Sequence, residues 1–259
     1  MRVEVTNLEF GYNKNIKILK NISFSVESGE IFGILGSSGS GKSTILRIIS
    51  GLIKKNNKNH FEGSVKIESN HNNIYKEGLI GLMFQEPSLL PNLTLEENIL
   101  LPTQMNNFLK TDKGFADNLI EMVGLSNYKN YYPKELSGGM QTRAELARTF
   151  ITKPQLLLLD EPFSSLDYAW KMDLYSKLMA LIKQFNSTVI MVSHDIDELI
   201  LLAHRIIILS KSGELLDNTI TLNNKPNLLS VEEISNYQLK NKQTILSIQT
   251  QILNDKLKK

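Results

Sequence analysis

The sequence predicts an α/β fold in which a parallel sheet core with crossover helices carries an antiparallel β subdomain and a helical subdomain. Three observations point to it. A Gly/Ser-rich loop, GSSGSGKST at 36–44, stands between an apolar run at 31–35 and a helix-like run at 45–50. Apolar runs of strand length at 156–159, 188–192 and 206–209 alternate with helical stretches at 168–184 and from Asp195 onward, the pattern of parallel strands joined by helices. The chain also opens with β-type alternation and gathers its helical signals into one block, 86–152.

Taken in order, Val3, Val5, Leu8 and Phe10, then Ile16, Ile18, Ile22, Phe24 and Val26, predict antiparallel strands bounded by Gly11 and by Ser28-Gly29. The polar run KKNNKNH at 54–60 predicts a solvated turn, and strands follow at 64–67 and 79–84. Within the helical block Thr94 and Glu97 form a capping box, and Gly124 closes a helix that starts near Asp112. Near the end Ser230 and Glu233 form another capping box, and Ile245, Ile248, Ile252 and Leu253 have roughly helical spacing. The expected organisation is one elaborated domain at 1–217, its helical subdomain at about 86–152, and a C-terminal helical tail at 218–259.

Composition narrows the function. The 259 residues hold 29 basic and 27 acidic side chains, so no global field selects for nucleic acid or for an anionic membrane. Cysteine is absent, which excludes a disulfide framework and a thiolate metal site and fits a reducing compartment. The opening MRVEVTNLEF lacks the basic-then-apolar order of a signal peptide, and the most apolar later stretch, 199–209, is interrupted by His204 and Arg205. No segment is expected to cross a membrane by itself.

The loop at 36–44 matches G-x-x-x-x-G-K-[ST], the pattern of a loop that binds the phosphates of a nucleoside triphosphate. Backbone N–H groups must converge on an anion at a helix N-terminus, and both flanks required for that are present. Gly36, Gly39 and Gly41 bring main-chain amides close to phosphate, and Ser37, Ser38, Ser40 and Thr44 complete the expected cradle. Lys42 is expected to reach the β- and γ-phosphates, and the Ser43 hydroxyl to hold Mg²⁺.

Other candidates lie at strand ends, where such sheets carry ligands. The leucines of LLLLDEP end in Asp160 and Glu161. Asp160 is the candidate to hold Mg²⁺ through water, and Glu161 to orient or deprotonate the attacking water. The competing reading is a solvated acidic pair at a strand exit. His194, at the end of the strand at 188–192, is the candidate for a γ-phosphate hydrogen bond, whereas His60, His71 and His204 have no such context. Leu136-Ser137-Gly138-Gly139-Met140 opens a helix with a hydroxyl and free amides, a second anion site. One loop already serves one nucleotide, so this second helix start points to a partner's nucleotide.

In that order the motifs resemble the nucleotide-binding subunits of ATP-binding cassette (ABC) transporters, over nearly all of residues 3–217. The family's signature stands here as LSGGM, its Q-loop as Gln85 in MFQEP, its D-loop as Ser165-Leu166-Asp167, its switch histidine as His194 and its adenine-stacking aromatic as Tyr12. The resemblance implies a phosphate-loop NTPase of ABC type. It implies a head-to-tail homodimer, or a cassette heterodimer, with two ATP molecules sandwiched between the loop of one subunit and the signature of the other. In that arrangement Lys42, Glu161 and His194 are catalytic, Ser43, Asp160 and Gln85 hold Mg²⁺, and Asp167 couples the two sites. The implied partners are integral membrane permease subunits and, indirectly, a solute-binding protein, with no nucleic acid, at the cytoplasmic face of a bacterial cell membrane.

Met140 stands where the family more often has Gln, and Gln141-Thr142-Arg143 replaces a segment usually richer in Arg and Gln. The segment QEPSLLPNLTLEENI at 85–99 and the run EPFSSLD resemble ATPases of nitrate, sulfonate, taurine and pyrimidine-precursor importers. The alternatives are an exporter ATPase, a soluble cassette ATPase of DNA repair or translation, and a phosphate-loop kinase. Repair and translation versions usually carry a long coiled-coil insertion or two cassettes in one chain, and a kinase has no need of LSGGM.

Overall fold

In the computed structural model, which describes residues 1–69, 79–105, 112–164, 166–223, 225 and 231–257, the opening alternation becomes β1 (Arg2–Gly11). Val3, Val5, Leu8 and Phe10 are all buried although Val5 and Leu8 are an odd number of residues apart. A bulge reconciles the two facts. The register shifts between Val5 and Leu8, Asn7 takes a φ of 46°, and its amide donates to Ser23 Oγ at 2.8 Å. One extra residue returns the second apolar pair to the core face.

The chain divides into two units, 1–68 with 188–259, and 69–187. In the first unit β1 lies between β2 (Leu19–Val26) and β4 (His60–Glu68), antiparallel to both. Two expectations change here. Ile16 is exposed and belongs to a small turn in which Asn13 Oδ1 accepts the Ile16 N–H at 2.9 Å, so β2 starts only at Leu19. Strand β4 starts at His60 rather than at residue 64, because Phe61 pairs with Phe10 and meets its ring edge-on at 6.0 Å.

The same unit holds a mixed sheet in the order β7 (Thr188–Ser193), β3 (Ile31–Gly36), β8 (Arg205–Leu209), β9 (Leu215–Thr221). Strands β7, β3 and β8 are parallel, and every residue of β3 is buried, which is why it reads as one apolar run. Strand β9 returns antiparallel to β8, an element absent from the sequence-based expectation. The helices of this unit are α1 (Lys42–Ile49), α6 (Ile196–Leu202), α7 (Val231–Lys240) and α8 (Lys242–Leu257). Helix α8 buries Ile248 and leaves Leu253 exposed. Ser230, of the second capping box, lies outside the described residues.

The second unit pairs β5 (Ile80–Met83) in parallel with β6 (Leu156–Asp160) and carries α2 (Leu95–Met105), α3 (Lys113–Met122), α4 (Gly138–Phe150) and α5 (Tyr168–Phe185). The capping box forms as expected, with Thr94 N–H donating to Glu97 Oε2 at 2.8 Å and Glu97 N–H to Thr94 Oγ1 at 3.3 Å. Asp112 caps α3 by accepting the Phe115 N–H at 2.9 Å. Among the described residues no helix is long and apolar enough to cross a membrane.

Candidate nucleotide site

The first unit carries the phosphate loop. Strand β3 ends at Gly36 and α1 begins at Lys42, so the loop has the strand and helix it needs. Gly39 and Gly41 have φ of 79° and 101°, a region that side chains disfavour. No side chain caps α1, which leaves first-turn amides for another acceptor. Lys42 is buried and donates to the Gly36 and Ser37 carbonyls at 2.8 and 3.0 Å. The Ser37 and Ser40 hydroxyl oxygens are buried with no hydrogen-bond partner. A self-sufficient turn would satisfy them; amides, an ammonium and two orphaned hydroxyls in one loop are completed by an anion with several oxygens.

Around this loop lie Ser38, exposed, and Ser43 and Thr44 on the first turn of α1. Tyr12 is exposed, with its hydroxyl 3.4 Å from Thr44 Oγ1 and its ring edge-on to Phe10 at 5.0 Å. An exposed ring beside the loop is not a core aromatic. Leu35 pairs with Ser193, so His194 leaves β7 on the strand next to the loop, and it too is exposed. Ser193 Oγ donates to Glu198 Oε2 at 2.7 Å and accepts the Asp195 N–H at 3.0 Å, while Asp195 caps α6. His194 is thereby held between a strand end and a helix cap. His60 instead sits 3.3 Å from Glu9 Oε2, His204 Nδ1 accepts the Ile31 N–H at 2.9 Å, and His71 lies outside the described residues.

The second unit carries the other candidates. Asp160, 3% exposed, ends β6. Glu161 follows with a φ of 50°, a left-handed conformation that costs a non-glycine residue roughly 1–3 kcal/mol and that clusters at functional sites. Met83 pairs with Leu159, and two residues beyond each, Gln85 Nε2 donates to Glu161 Oε2 at 3.4 Å. Ser137 caps α4 by accepting the Met140 N–H at 3.3 Å. Ser137 and Gly138 are exposed, Gly139 is half-buried, and a Cβ added to Gly138 would meet nothing within 4 Å. Among the described residues, packing gives no reason for that glycine. Asp167 caps α5 by accepting the Trp170 N–H at 3.0 Å, and its neighbour Ser165 lies outside the described residues.

Two arrangements escaped the sequence reading. Glu145 on α4 is 0% exposed and accepts the Ser88 N–H at 2.6 Å, the Ser88 hydroxyl at 2.9 Å and Arg148 at 3.2 Å. Arg148 also donates to the Ser88 carbonyl at 3.0 Å. Ser88 is three residues beyond Gln85, so the segment after β5 is tied to the signature helix. The signal available was a carboxylate within the apolar face Ala144, Leu146, Ala147. Gln141, one of the departures, donates to the Pro133 and Leu136 carbonyls at 2.9 and 3.1 Å and so fixes the approach to Ser137. Arg143 lies 3.8 Å over the Trp170 ring and donates to the Val123 carbonyl at 2.7 Å; burial lowers its pKa.

A family model described as ABC transporter matches residues 19–164. The chain is similar to the aliphatic sulfonates import ATP-binding protein SsuB of Bacillus cereus, 37% identical over 242 residues, which cover 90% of this chain and 93% of that protein. It is also similar to the nitrate import ATP-binding protein NrtD of Synechocystis, 32% identical over 228 residues, 86% of this chain and 83% of the relative. Among solved structures, the ATP-binding cassette MJ0796, in a dimeric post-hydrolysis state bound to ADP and Pi, superposes with a TM-score of 0.74 at 31% identity, covering 86% of this chain and 99% of that one.

Proposed function

The chain belongs to the ABC transporter family and is an ATP-binding, ATP-hydrolysing subunit of importer type; from that premise we propose the roles of its residues and its partners. The observation that carries the reading is the phosphate loop with its buried Lys42 and its orphaned Ser37 and Ser40 hydroxyls. The whole loop, Gly36 through Thr44, cradles the triphosphate, Lys42 exchanging its carbonyl acceptors for phosphate oxygens and Tyr12 stacking on the adenine.

Water attacks the γ-phosphorus, its proton passes to Glu161, and the bond from the γ-phosphorus to the bridging oxygen breaks to release ADP. Gln85 orients Glu161 through the hydrogen bond described above, and His194 donates to the γ-phosphate. Ser43, Asp160 and Gln85 offer a hydroxyl, a carboxylate and an amide oxygen, a donor set that suits Mg²⁺. When bound, the ion would neutralise charge on the phosphates. Ser137, Gly138 and Gly139 bind the nucleotide of a second cassette in a head-to-tail dimer, which the exposed helix start and the open space at Gly138 support. Asp167 contributes to coupling across that dimer.

The domain division supported by the motifs is an ATPase domain at 1–217, with its helical subdomain at about 86–152, and a tail at 218–259. Integral permease subunits receive the closure energy at the cytoplasmic face of the membrane, with a solute-binding protein delivering a small solute of the sulfonate or nitrate type. The names of the relatives support that cargo class. Lys42→Ala tests the loop: ATP binding followed by calorimetry should weaken by more than tenfold, as expected for loss of a charged contact worth roughly 1.5–3 kcal/mol. Binding as tight as in the wild type would remove the loop from the mechanism.

A further inference from the structure

Beyond the nucleotide site, the first unit contains a cavity of about 540 Å³ between the end of β9 and α7. That volume is far larger than the roughly 30 Å³ share of one water and falls within the range of about 300–1,000 Å³ typical of small-molecule sites. Its lining is polar. Among the described residues that line it, the lysines Lys225 and Lys240 stand against one carboxylate, Glu233, with Tyr237 and the carboxamides of Asn236 and Asn241 between them.

Two of these groups are unusual for a solvated surface. Tyr237 is 6% exposed, and its hydroxyl interacts with the Asn241 side chain but has no partner in good hydrogen-bond geometry. The Asn241 side-chain amide donates instead to the Tyr237 backbone carbonyl at 2.9 Å. Leaving a buried hydroxyl unsatisfied is unfavourable, and native structures do so rarely. Lys225 is half-buried, lies 5.4 Å over the Tyr237 ring and donates to the Ile200 carbonyl at 2.6 Å. One bond leaves two of its three donor hydrogens for other acceptors.

We propose that this cavity is a binding site for a small oxyanion that also carries a hydrogen-bond donor, the anionic group meeting Lys225 and the Tyr237 hydroxyl and the donor meeting Glu233. The desolvated amine fits the assignment: burial lowers the Lys225 pKa to about 7, and an adjacent anion is what restores its charge. The site reaches the chemistry through one element. Lys225 holds the carbonyl of Ile200 in α6, and α6 begins directly after the His194-Asp195 turn.

Calorimetry on the full chain tests this, with the phosphate loop filled by a saturating non-hydrolysable ATP analogue so that phosphate cannot take the γ-position beside a diphosphate. Inorganic phosphate and phosphoserine are the probes, the second adding an ammonium for Glu233. The expected result is one additional site per chain. Its affinity should fall by about tenfold or more in Tyr237→Phe and in Lys225→Met, as for loss of a hydrogen bond to a charged group. Tighter binding of phosphoserine supports a ligand bearing both groups, and equal binding overturns the role given to Glu233. Tyr237→Phe keeps the ring and removes only an orphaned hydroxyl, so its urea midpoint should equal or exceed that of the wild type. No binding of either probe at millimolar concentration, or unchanged binding in both variants, overturns the proposal.

Discussion

Replacing Glu145 by alanine removes one acceptor from three donors at once: the Ser88 amide, the Ser88 hydroxyl and the Arg148 guanidinium. Glu145 is 0% exposed and Arg148 only 14% exposed, so water reaches the abandoned charge poorly. Breaking a buried pair in this way costs about 3–5 kcal/mol. The remaining exposure of Arg148, and its other bonds to Ser88, place the expected loss near the lower end, about 3 kcal/mol. That is a large part of a domain's usual stability of roughly 5–15 kcal/mol. Trp170, the only tryptophan of the chain, lies in the same unit under Arg143, so urea unfolding followed by its fluorescence reports on the region concerned. The double variant Glu145→Ala/Arg148→Met removes both charges and should be less destabilised than Glu145→Ala alone, which a double-mutant cycle measures. In the single variant kcat should fall more than ATP affinity, because Gln85 loses its anchored neighbour while the phosphate loop is untouched. A Glu145→Ala protein within about 1 kcal/mol of wild type, with a double variant no better, would refute the argument that this network is a buried charge pair.

Two further outcomes are expected. Ser137→Arg should leave ATP binding to the isolated subunit intact and abolish ATP-dependent dimerisation, because it fills an exposed helix start; unchanged dimerisation contradicts that role. Burial, and then the charge of Lys225, hold the His204 pKa below its ordinary value, with Nδ1 accepting from Ile31. The unfolded chain therefore takes up the proton first, and this contribution to stability is present above the unfolded pKa of about 6.5 and is lost as pH falls through the window below it. Urea midpoints should fall more steeply below that pH for the wild type than for His204→Gln; parallel profiles would show that His204 titrates normally.

The loop, the caps at Thr94, Asp112 and Ser137, and the strands leading to Asp160 and His194 were legible because each depends on residues close in sequence. Glycine positions, helix starts and apolar runs bounded by carboxylates are local statements of backbone physics. What escaped depends on partners far along the chain. The bulge at Asn7 needs Ser23 across the sheet, and β4 extends to His60 because Phe61 finds the ring of Phe10. Glu145 reads as one more helical charge until Ser88, 57 positions earlier, is brought to it. The left-handed backbone at Glu161 was equally hidden, since glycine and asparagine announce such a conformation in sequence and glutamate does not.

The most direct test of the mechanism uses Glu161→Gln, which preserves the shape of the side chain and its contact with Gln85 while removing the proton acceptor. Loss of a general base should slow hydrolysis by about 10²–10⁴. ATP should then persist between two cassettes, and size-exclusion chromatography with light scattering should show monomers converting to dimers on addition of Mg-ATP. A variant that hydrolyses ATP at the wild-type rate, or one that binds ATP and stays monomeric, would contradict the sandwich built on Glu161 and the Ser137 helix start.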